Sequence, residues 1–348
     1  MRSAMLFGMI MLLAGAPAPA SPGPQTLEKY DTLFAIGITP TSPPETCLVL
    51  RTFRTPRGRA YLGVDPATLT TARYDSAELS VAPVAWPDLR TRFGSSAYAR
   101  ALFLAERNDS SLQNAGITRF LPGQNGIDLT VDLCPSRRPL DRKLFIALFK
   151  EFGRVEKPVP VAVSVTGVWM HEHPDDLAWL AALVDTGDLA ITWVNHSFHH
   201  YASKTLPLTR NFLLEKGTDM HAEILLTELA LLEKGLLPSV FFRFPGLISD
   251  SAIFLSVIRY GIIPIGSDAW LAKNQTPGPG SIVLVHANGN EPVGIKRFTE
   301  LMRQNDRRIV NKEWLLFDLR ESLADEEGQN AAHPAAPAQT TSGKERHQ

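Results

Sequence analysis

Residues 189–200 read LAITWVNHSFHH, an apolar run that ends in a cluster of polar residues and histidines. The β-branched and aromatic side chains of 189–194 favour a buried strand. His196 and His200 are four positions apart, a spacing that places both imidazoles on one face of a helical turn and lets them reach one metal ion. Such a pair is a weak signal by itself, so its meaning depends on the segments around it.

Strands and helices alternate on both sides of this segment. Apolar residues recur at helical spacing in 140–152, and a leucine-rich helix is predicted at 220–233. This alternation is typical of βα units built around a mainly parallel sheet or barrel, so the predicted fold class is α/β. The other predicted strands of this region are 127–131, 159–165, 239–244, 262–265 and 282–285.

Polar side chains follow several of these strands within a few residues. In parallel α/β folds, functional side chains gather where strands end. Buried Asp, Arg and His residues are costly without partners, so residues of these types must satisfy one another or serve a function. The candidates outside the histidine cluster are Asp132, Arg243, Asp268 with Trp270, and His286.

Five short motifs, taken in order along the chain, resemble those of the polysaccharide deacetylase family. This family is carbohydrate esterase family 4, with the chitooligosaccharide deacetylase homology domain. The likeness spans roughly residues 125–305 and is specific because independent motifs agree in order and context. The motifs are LTVDLCP at 129–135, NHSFHH at 195–200, RFPG at 243–246, SDAW at 267–270 and LVH at 284–286.

The resemblance implies a distorted (β/α) barrel with a metal-dependent active site at the carboxyl ends of its strands. It also implies removal of N-acetyl groups from an N-acetylated cell-envelope or extracellular polysaccharide. Asp132 matches the family's general base, and His286 matches the general acid that protonates the leaving amine. His196 and His200 match ligands of a divalent metal ion, for which zinc is the expected ion.

The resemblance assigns roles to further residues of this chain. Arg243 would hold the base in position, and Asp268 would orient the acid. The backbone N–H of Gly246 would point at the oxyanion, and Trp270 and Leu284 would form the wall of the acetyl pocket.

One position departs from the family pattern. The first motif usually has two Asp residues, of which the second binds the metal, and Leu133 stands at that second position. Three outcomes stay open: the two histidines bind a metal more weakly, Cys134 supplies a thiolate ligand, or the site has lost its metal. The predicted function is therefore a deacetylase, with a catalytically impaired pseudo-deacetylase that binds glycan or an envelope partner as the alternative.

The cysteines bear on this choice. Two cysteines cannot build a disulfide scaffold or a Cys-rich zinc module. In an exported protein a disulfide bridge between Cys47 and Cys134 is chemically allowed, and the alternative is two separate buried thiols. A bridge would withhold Cys134 from a metal ion.

The remaining segments predict the organisation of the chain. Residues 1–20 have a basic start, a short apolar run and an A-x-A site that ends at Ala20, which is typical of a secretory signal peptide. We therefore expect a periplasmic or secreted protein with no membrane span after cleavage. The predicted parts that follow are a linker at 21–45, an accessory α+β or mostly β domain at 46–122, the deacetylase-like domain at 123–320 and a disordered tail at 321–348.

Charge and composition narrow the class of partner. The 348 residues include 35 Lys and Arg against 36 Asp and Glu, a formal net charge of −1. A near-neutral chain argues against nucleic acid as the partner, because binding to phosphate backbones relies on excess positive charge. An N-acetylated glycan is the expected substrate, and the sequence does not predict a protein partner.

Overall fold

The computed structural model describes residues 26–120 and 125–324 of the protein. The strands are β1 (Glu28–Ile38), β2 (Thr46–Thr55), β3 (Gly58–Val64), β4 (Thr71–Asp75), β5 (Ser80–Pro83), β6 (Gly126–Leu133), β7 (Val159–Val165), β8 (Leu189–Asn195), β9 (Pro238–Arg243), β10 (Ile263–Ile265), β11 (Ala269–Trp270), β12 (Ser281–His286) and β13 (Leu315–Leu316). The helices are α1 (Trp86–Arg92), α2 (Ala97–Glu106), α3 (Arg142–Glu151), α4 (Gly167–Glu172), α5 (Pro174–Asp185), α6 (Met220–Glu233), α7 (Ser251–Arg259), α8 (Pro292–Gln304), α9 (Asp306–Val310) and α10 (Leu319–Ala324).

The larger sheet is parallel and curls into a distorted barrel. Its strand order is β10-β9-β8-β7-β6-β12-β11, and β13 pairs with β6. The backbone around Ile117 and Thr118 lies in the gap between β10 and β12: Ile117 N–H donates to the carbonyl of Pro264 at 3.1 Å, and Ile282 N–H donates to the carbonyl of Thr118 at 3.2 Å. The predicted α/β class and distorted (β/α) barrel are confirmed by this topology.

The central strands are buried on both faces, as their continuous apolar runs predict. All residues of β6, β7 and β12 are buried. Along β6 the odd-numbered residues, which include Leu129, Val131 and Leu133, pack in a core shared with the covering helices. Aspartate side chains cap the amino ends of α3, α6 and α7 by accepting backbone N–H groups, which fixes where these helices begin.

The smaller sheet is antiparallel, and it corrects the predicted linker. Its order is β4-β3-β2-β1-β5, so β1 is an interior strand although residues 28–38 fall within the predicted linker 21–45. The Pro, Ser and Thr residues on either side of β1 obscured a short core of buried residues that includes Ala35 and Ile36. In this sheet β2 and β3 form an antiparallel hairpin, and α2, which follows the sheet, ends at Glu106.

Two other predictions concern the ends of the chain. The signal peptide at 1–20 lies outside the described residues. The predicted tail begins too early, because α10 extends to Ala324 and Leu323 is buried in the core. Residues 325–348 lie outside the described part of the chain.

The smaller sheet shares a core and a buried ion pair with the barrel. Leu48 and Tyr98 belong to the same apolar cluster as Phe241 of β9. Arg51 of β2 forms a two-pronged contact with Glu228 of α6, with Nε to Oε2 at 2.7 Å and Nη2 to Oε1 at 2.9 Å. Both side chains are at most 2% exposed. The region predicted as an accessory domain is therefore integral to the packing of the barrel.

Breaking this ion pair should be costly. Arg51→Met leaves the Glu228 carboxylate buried without its cation, and we expect the free energy of unfolding to fall by about 3–5 kcal/mol. The double variant Arg51→Met/Glu228→Met should recover much of this loss, because it removes both buried charges. Urea denaturation of the full chain measures both values. A loss below about 1 kcal/mol, typical of an exposed pair, would contradict the buried contact.

Candidate functional site

The carboxyl ends of the barrel strands surround one cavity of about 440 Å³. Parallel strands deliver their last residues to a common edge, so motifs far apart in sequence meet here. Arg243, Asp268 and Cys47 are not among the residues that line the cavity. The predicted site residues that do line it are Asp132, Cys134, His196, His200, Gly246, Trp270, Leu284 and His286.

At the end of β6, three consecutive side chains point to two opposite sides of the strand. Successive residues of an extended chain point to opposite faces, so Asp132 and Cys134 share one side and Leu133 takes the other. Leu133 is fully buried in the core beneath the helices, whereas the Asp132 carboxylate and the Cys134 thiol line the cavity. The departure from the family motif therefore leaves a carboxylate and a sulfur donor in the same cavity.

His196 has a fixed tautomer. Its Nδ1 donates to the backbone carbonyl of Arg243 at 2.9 Å, which leaves Nε2 with a free lone pair. Nε2 lies 3.5 Å from Cys134 Sγ and 3.7 Å from Asp132 Oδ2. The ring is 1% exposed, so these cavity-facing contacts are sheltered from bulk water.

Three donor groups converge beside Asp132. One ligand atom from each of Cys134, His196 and His200 lies within 4.8 Å of the others. His200 Nε2 and Asp132 Oδ1 are buried and have no hydrogen-bond partner among the described residues. Buried polar atoms are normally paired, so these orphaned atoms and the sulfur–nitrogen donor set fit a divalent metal ion with a water molecule.

The electrostatics of the cluster favour a thiolate. Burial by itself raises the pKa of the Cys134 thiol, but the rings of His200, His286 and His196 outweigh burial and hold this pKa well below its ordinary value. Burial lowers the pKa of His200 and His286, but the negative charge at Cys134 outweighs it and raises both. A deprotonated thiol is the form that binds metal ions.

Glu223 of α6 holds the histidine loop, although no sequence motif identifies it. Its Oε2 accepts the backbone N–H groups of Phe198 and His199, both at 2.9 Å, and its Oε1 accepts His199 Nδ1 at 2.8 Å. His199 thus turns toward α6 while His196 and His200 face the donor cluster. Only the folded position of α6, more than twenty residues along the chain, brings this carboxylate to the loop.

Arg243 does not make its predicted contact. Among the described residues it forms no ion pair with Asp132, and its Nη2 donates instead to Thr130 Oγ1 at 2.8 Å. Thr130 lies two residues before Asp132 on β6, so the guanidinium contacts the strand at a position further from its carboxyl end than the Asp132 carboxylate. Burial lowers the pKa of Arg243, and the charge of Asp132 opposes this effect. Arg243 is therefore coupled to Asp132 by charge rather than by a direct contact, and its backbone carbonyl accepts the N–H of His196.

Asp268 does not orient His286, and Glu291 stands in its place. Asp268 precedes β11 and faces Arg119, with Oδ2 to Nε at 2.6 Å. Glu291 Oε2 lies 2.9 Å from His286 Nδ1, a short ion pair that is poorly aligned for a hydrogen bond, and it accepts Trp270 Nε1 at 2.7 Å. The sequence missed Glu291 because it lies in the loop after the last motif.

Gly246 and Cys47 occupy very different environments. Gly246 lines the cavity with φ of 61°, and a Cβ there would lie 2.5 Å from the ring of Phe212, so no other residue fits without a shift. Cys47 is buried in the smaller sheet, and burial raises its pKa to about 11. Both cysteines are free thiols, so the structure has the two separate thiols and no bridge.

Solved structures similar to this chain include family 4 carbohydrate esterases. One from Bacillus anthracis is 18% identical, and the match covers 64% of this chain and 90% of that one, with a TM-score of 0.43. One from Bacillus subtilis is 17% identical, with 70% and 92% covered and a TM-score of 0.43.

A third similar structure is a mutant of a family 4 pseudoenzyme with restored enzymatic activity. It is 14% identical, and the match covers 77% of this chain and 89% of that one, with a TM-score of 0.41. No family model matches the chain.

Removing the Glu223 carboxylate should loosen the histidine loop. Glu223→Ala leaves two backbone N–H groups and the His199 ring without their acceptor, and we expect zinc affinity to fall about 10–100-fold, as for other outer-shell partners. Competition with a chromogenic chelator measures this affinity. The matched control is Glu300→Ala on the exposed face of α8, which should bind zinc like the wild type. Equal affinity in both variants would contradict the positioning role.

The two thiols should differ in reactivity. Cys134 lines the cavity as a low-pKa thiol, whereas Cys47 is buried with its pKa raised to about 11. Iodoacetamide at neutral pH, without metal, should alkylate Cys134 and spare Cys47, because the thiolate is the nucleophile. Peptide mass spectrometry reads the site of labelling, and Cys134→Ser should abolish it. Preferential labelling of Cys47 would contradict the described environments.

Proposed function

We propose that this protein is a metal-dependent amide hydrolase that removes N-acetyl groups from an N-acetylated cell-envelope or extracellular glycan. The observation that carries the proposal is the meeting of the Asp132 carboxylate, three side chains that can bind a metal ion and the His286 imidazole around one cavity. Asp132, His196 and His286 come from three different strand ends, and all three line the cavity. The motif resemblance supplies the reaction class.

The ion would be held by His196 and His200, with the Cys134 thiol as a third donor group beside them. When bound, a divalent ion polarises an amide carbonyl and lowers the pKa of water toward about 7. This chemistry answers the two difficulties of amide hydrolysis, a weak electrophile and a weak nucleophile. The orphaned atoms Asp132 Oδ1 and His200 Nε2 support a site built for such a group.

Asp132 and His286 divide the proton transfers. The Asp132 carboxylate, 2% exposed, accepts the proton from the attacking water. His286 begins protonated: burial alone would lower its pKa, but the negative charges of Cys134, Glu291 and Asp132 raise it well above the ordinary value. It then donates its proton to the leaving amine. General acid and base catalysis each contribute roughly 10²–10⁴-fold to such reactions.

Trp270 and Leu284 support an acetyl-sized apolar wall beside these groups. Both line the cavity, and the Trp270 ring lies 5.9 Å from the His286 ring between centroids. Glu291 accepts the indole N–H and so fixes the Trp270 side chain against the acid. The near-neutral charge of the chain suits a sugar polymer as partner.

The alternative function is a pseudo-deacetylase that binds glycan or an envelope partner without turnover. The reason for this alternative is Leu133, whose aliphatic side chain cannot bind a metal. Cys134 weakens this motive, because a sulfur donor lies at the cavity where the family carboxylate is missing. The alternative becomes the conclusion if the activity test below fails with metal bound.

The predicted site of action is outside the cytoplasm, and it stays a prediction. Within the described residues, no helix combines the length and apolar composition that a membrane span requires. Periplasmic or secreted placement rests on residues 1–20 as a signal peptide.

The direct test is acetate release from N-acetylated oligosaccharides by the zinc- or cobalt-loaded protein. Asp132→Asn and His286→Gln should each lower kcat by about 10²–10⁴-fold, because each removes one proton-transfer group. The matched control is Asp268→Asn, whose carboxylate pairs with Arg119 outside the cavity and whose loss should leave kcat unchanged.

Two results would overturn the proposal. Metal-loaded protein that releases no acetate while still binding the oligosaccharide would favour the pseudo-deacetylase. Turnover that survives in both Asp132→Asn and His286→Gln would assign the proton transfers to other groups.

A further inference from the structure

We propose that Cys134, and not a carboxylate, is the third protein ligand of the metal ion, so that the centre is a Cys-His-His site that prefers zinc or cobalt to magnesium, calcium or manganese. The inference rests on the proposed function in one respect, because both require a metal ion in this cavity. It rests on ligand geometry, and it holds or fails independently of acetate release.

The separation of two donor atoms matches zinc coordination. A zinc ion with Zn–S of about 2.3 Å, Zn–N of about 2.0–2.1 Å and tetrahedral angles requires sulfur and nitrogen to lie about 3.6 Å apart. Cys134 Sγ and His196 Nε2 are 3.5 Å apart. The pair therefore stands at coordination distance, and because His196 Nδ1 carries the proton donated to Arg243, Nε2 is the ring nitrogen that faces the sulfur.

The backbone around Cys134 is held on both sides. Asn288, which is fully buried after β12, donates from Nδ2 to the Cys134 carbonyl at 2.7 Å. Thr166, at the end of β7, donates from Oγ1 to the Leu133 carbonyl at 3.1 Å. Ser136 in turn donates to the Asn288 carbonyl at 2.8 Å. These bonds direct the thiol into the cavity before any ion binds, which is how outer-shell partners raise metal affinity.

The number and type of donors indicate a catalytic zinc site. Structural zinc sites have four protein ligands, whereas catalytic sites have three and keep one position for water or substrate. Cys134, His196 and His200 supply three. Thiolate and imidazole favour zinc and cobalt, whereas magnesium, calcium and manganese favour oxygen donors, so the sulfur ligand sets the preference.

Asp132 is the competing third ligand. Its Oδ2 lies 3.7 Å from His196 Nε2, close enough for a carboxylate ligand. If Asp132 bound the ion, its carboxylate would not be free to accept the proton from water. The Cys134 thiol would then lie among three imidazoles without a role as a ligand. The two assignments differ in one observable property, the presence of a sulfur–metal bond.

Cobalt-substituted full-length protein tests the assignment. Cobalt bound by a thiolate gives an intense charge-transfer absorption in the near ultraviolet, which oxygen and nitrogen ligands alone do not give. We expect this band in the wild type and in the matched control Cys47→Ser, whose thiol is remote from the cavity. We expect no band in Cys134→Ser and a loss of zinc affinity beyond the roughly 10–100-fold cost of an outer-shell change.

Cys134→Asp provides a second variant that keeps a charged ligand. It should retain metal without the absorption band and bind manganese relatively better than the wild type, because the new ligand is oxygen. Zinc should also protect Cys134 from alkylation in the wild type. This measurement uses the wild-type protein alone and so does not depend on whether a variant folds.

Each outcome decides the inference. A band that persists in Cys134→Ser, or cobalt bound by the wild type without a band and lost in Asp132→Asn, overturns it in favour of other ligands. Wild-type protein that binds no cobalt overturns both the inference and the metal-dependent function. A sulfur–cobalt band without acetate release supports the centre while the proposed activity fails.

Discussion

The two-residue repeat of β6 is the constraint on which the site depends. Even-numbered residues of β6 and the position after it, Thr130, Asp132 and Cys134, share one side, and Leu133 faces the core beneath the helices. Because the strand is buried on both faces, a shift by one residue would place an aliphatic side chain in the cavity and a carboxylate in the core. The pleat of one strand thus places the Asp132 carboxylate and the Cys134 thiol in the same cavity.

Helix α6 connects the smaller sheet to the histidine loop. Its Glu228 pairs with Arg51 of β2, and its Glu223 accepts the backbone N–H groups of Phe198 and His199. The helix is therefore held at one side by the antiparallel sheet and holds the histidine loop at the other. This arrangement gives the N-terminal region a physical task, which is to anchor the helix that positions this loop.

The sequence predicted the barrel and most of the cavity, because apolar runs and strand-end motifs are local signals. It failed where partners are distant in the chain: Asp268 pairs with Arg119, Glu291 replaces it beside His286, and Glu223 had no motif. Strand β1 was missed because Pro, Ser and Thr residues surround a short buried core. The Cys134 thiolate was one of three open outcomes, and only the folded distances favour it.

The central claim is a zinc ion held by one sulfur and two imidazole nitrogens beside a free carboxylate base. X-ray absorption fine structure at the zinc edge measures the ligand shell of the loaded protein directly. The account predicts one sulfur at about 2.3 Å and a nitrogen or oxygen shell at about 2.0–2.1 Å. A shell of nitrogen and oxygen alone would contradict it, because Cys134 would then not bind the ion.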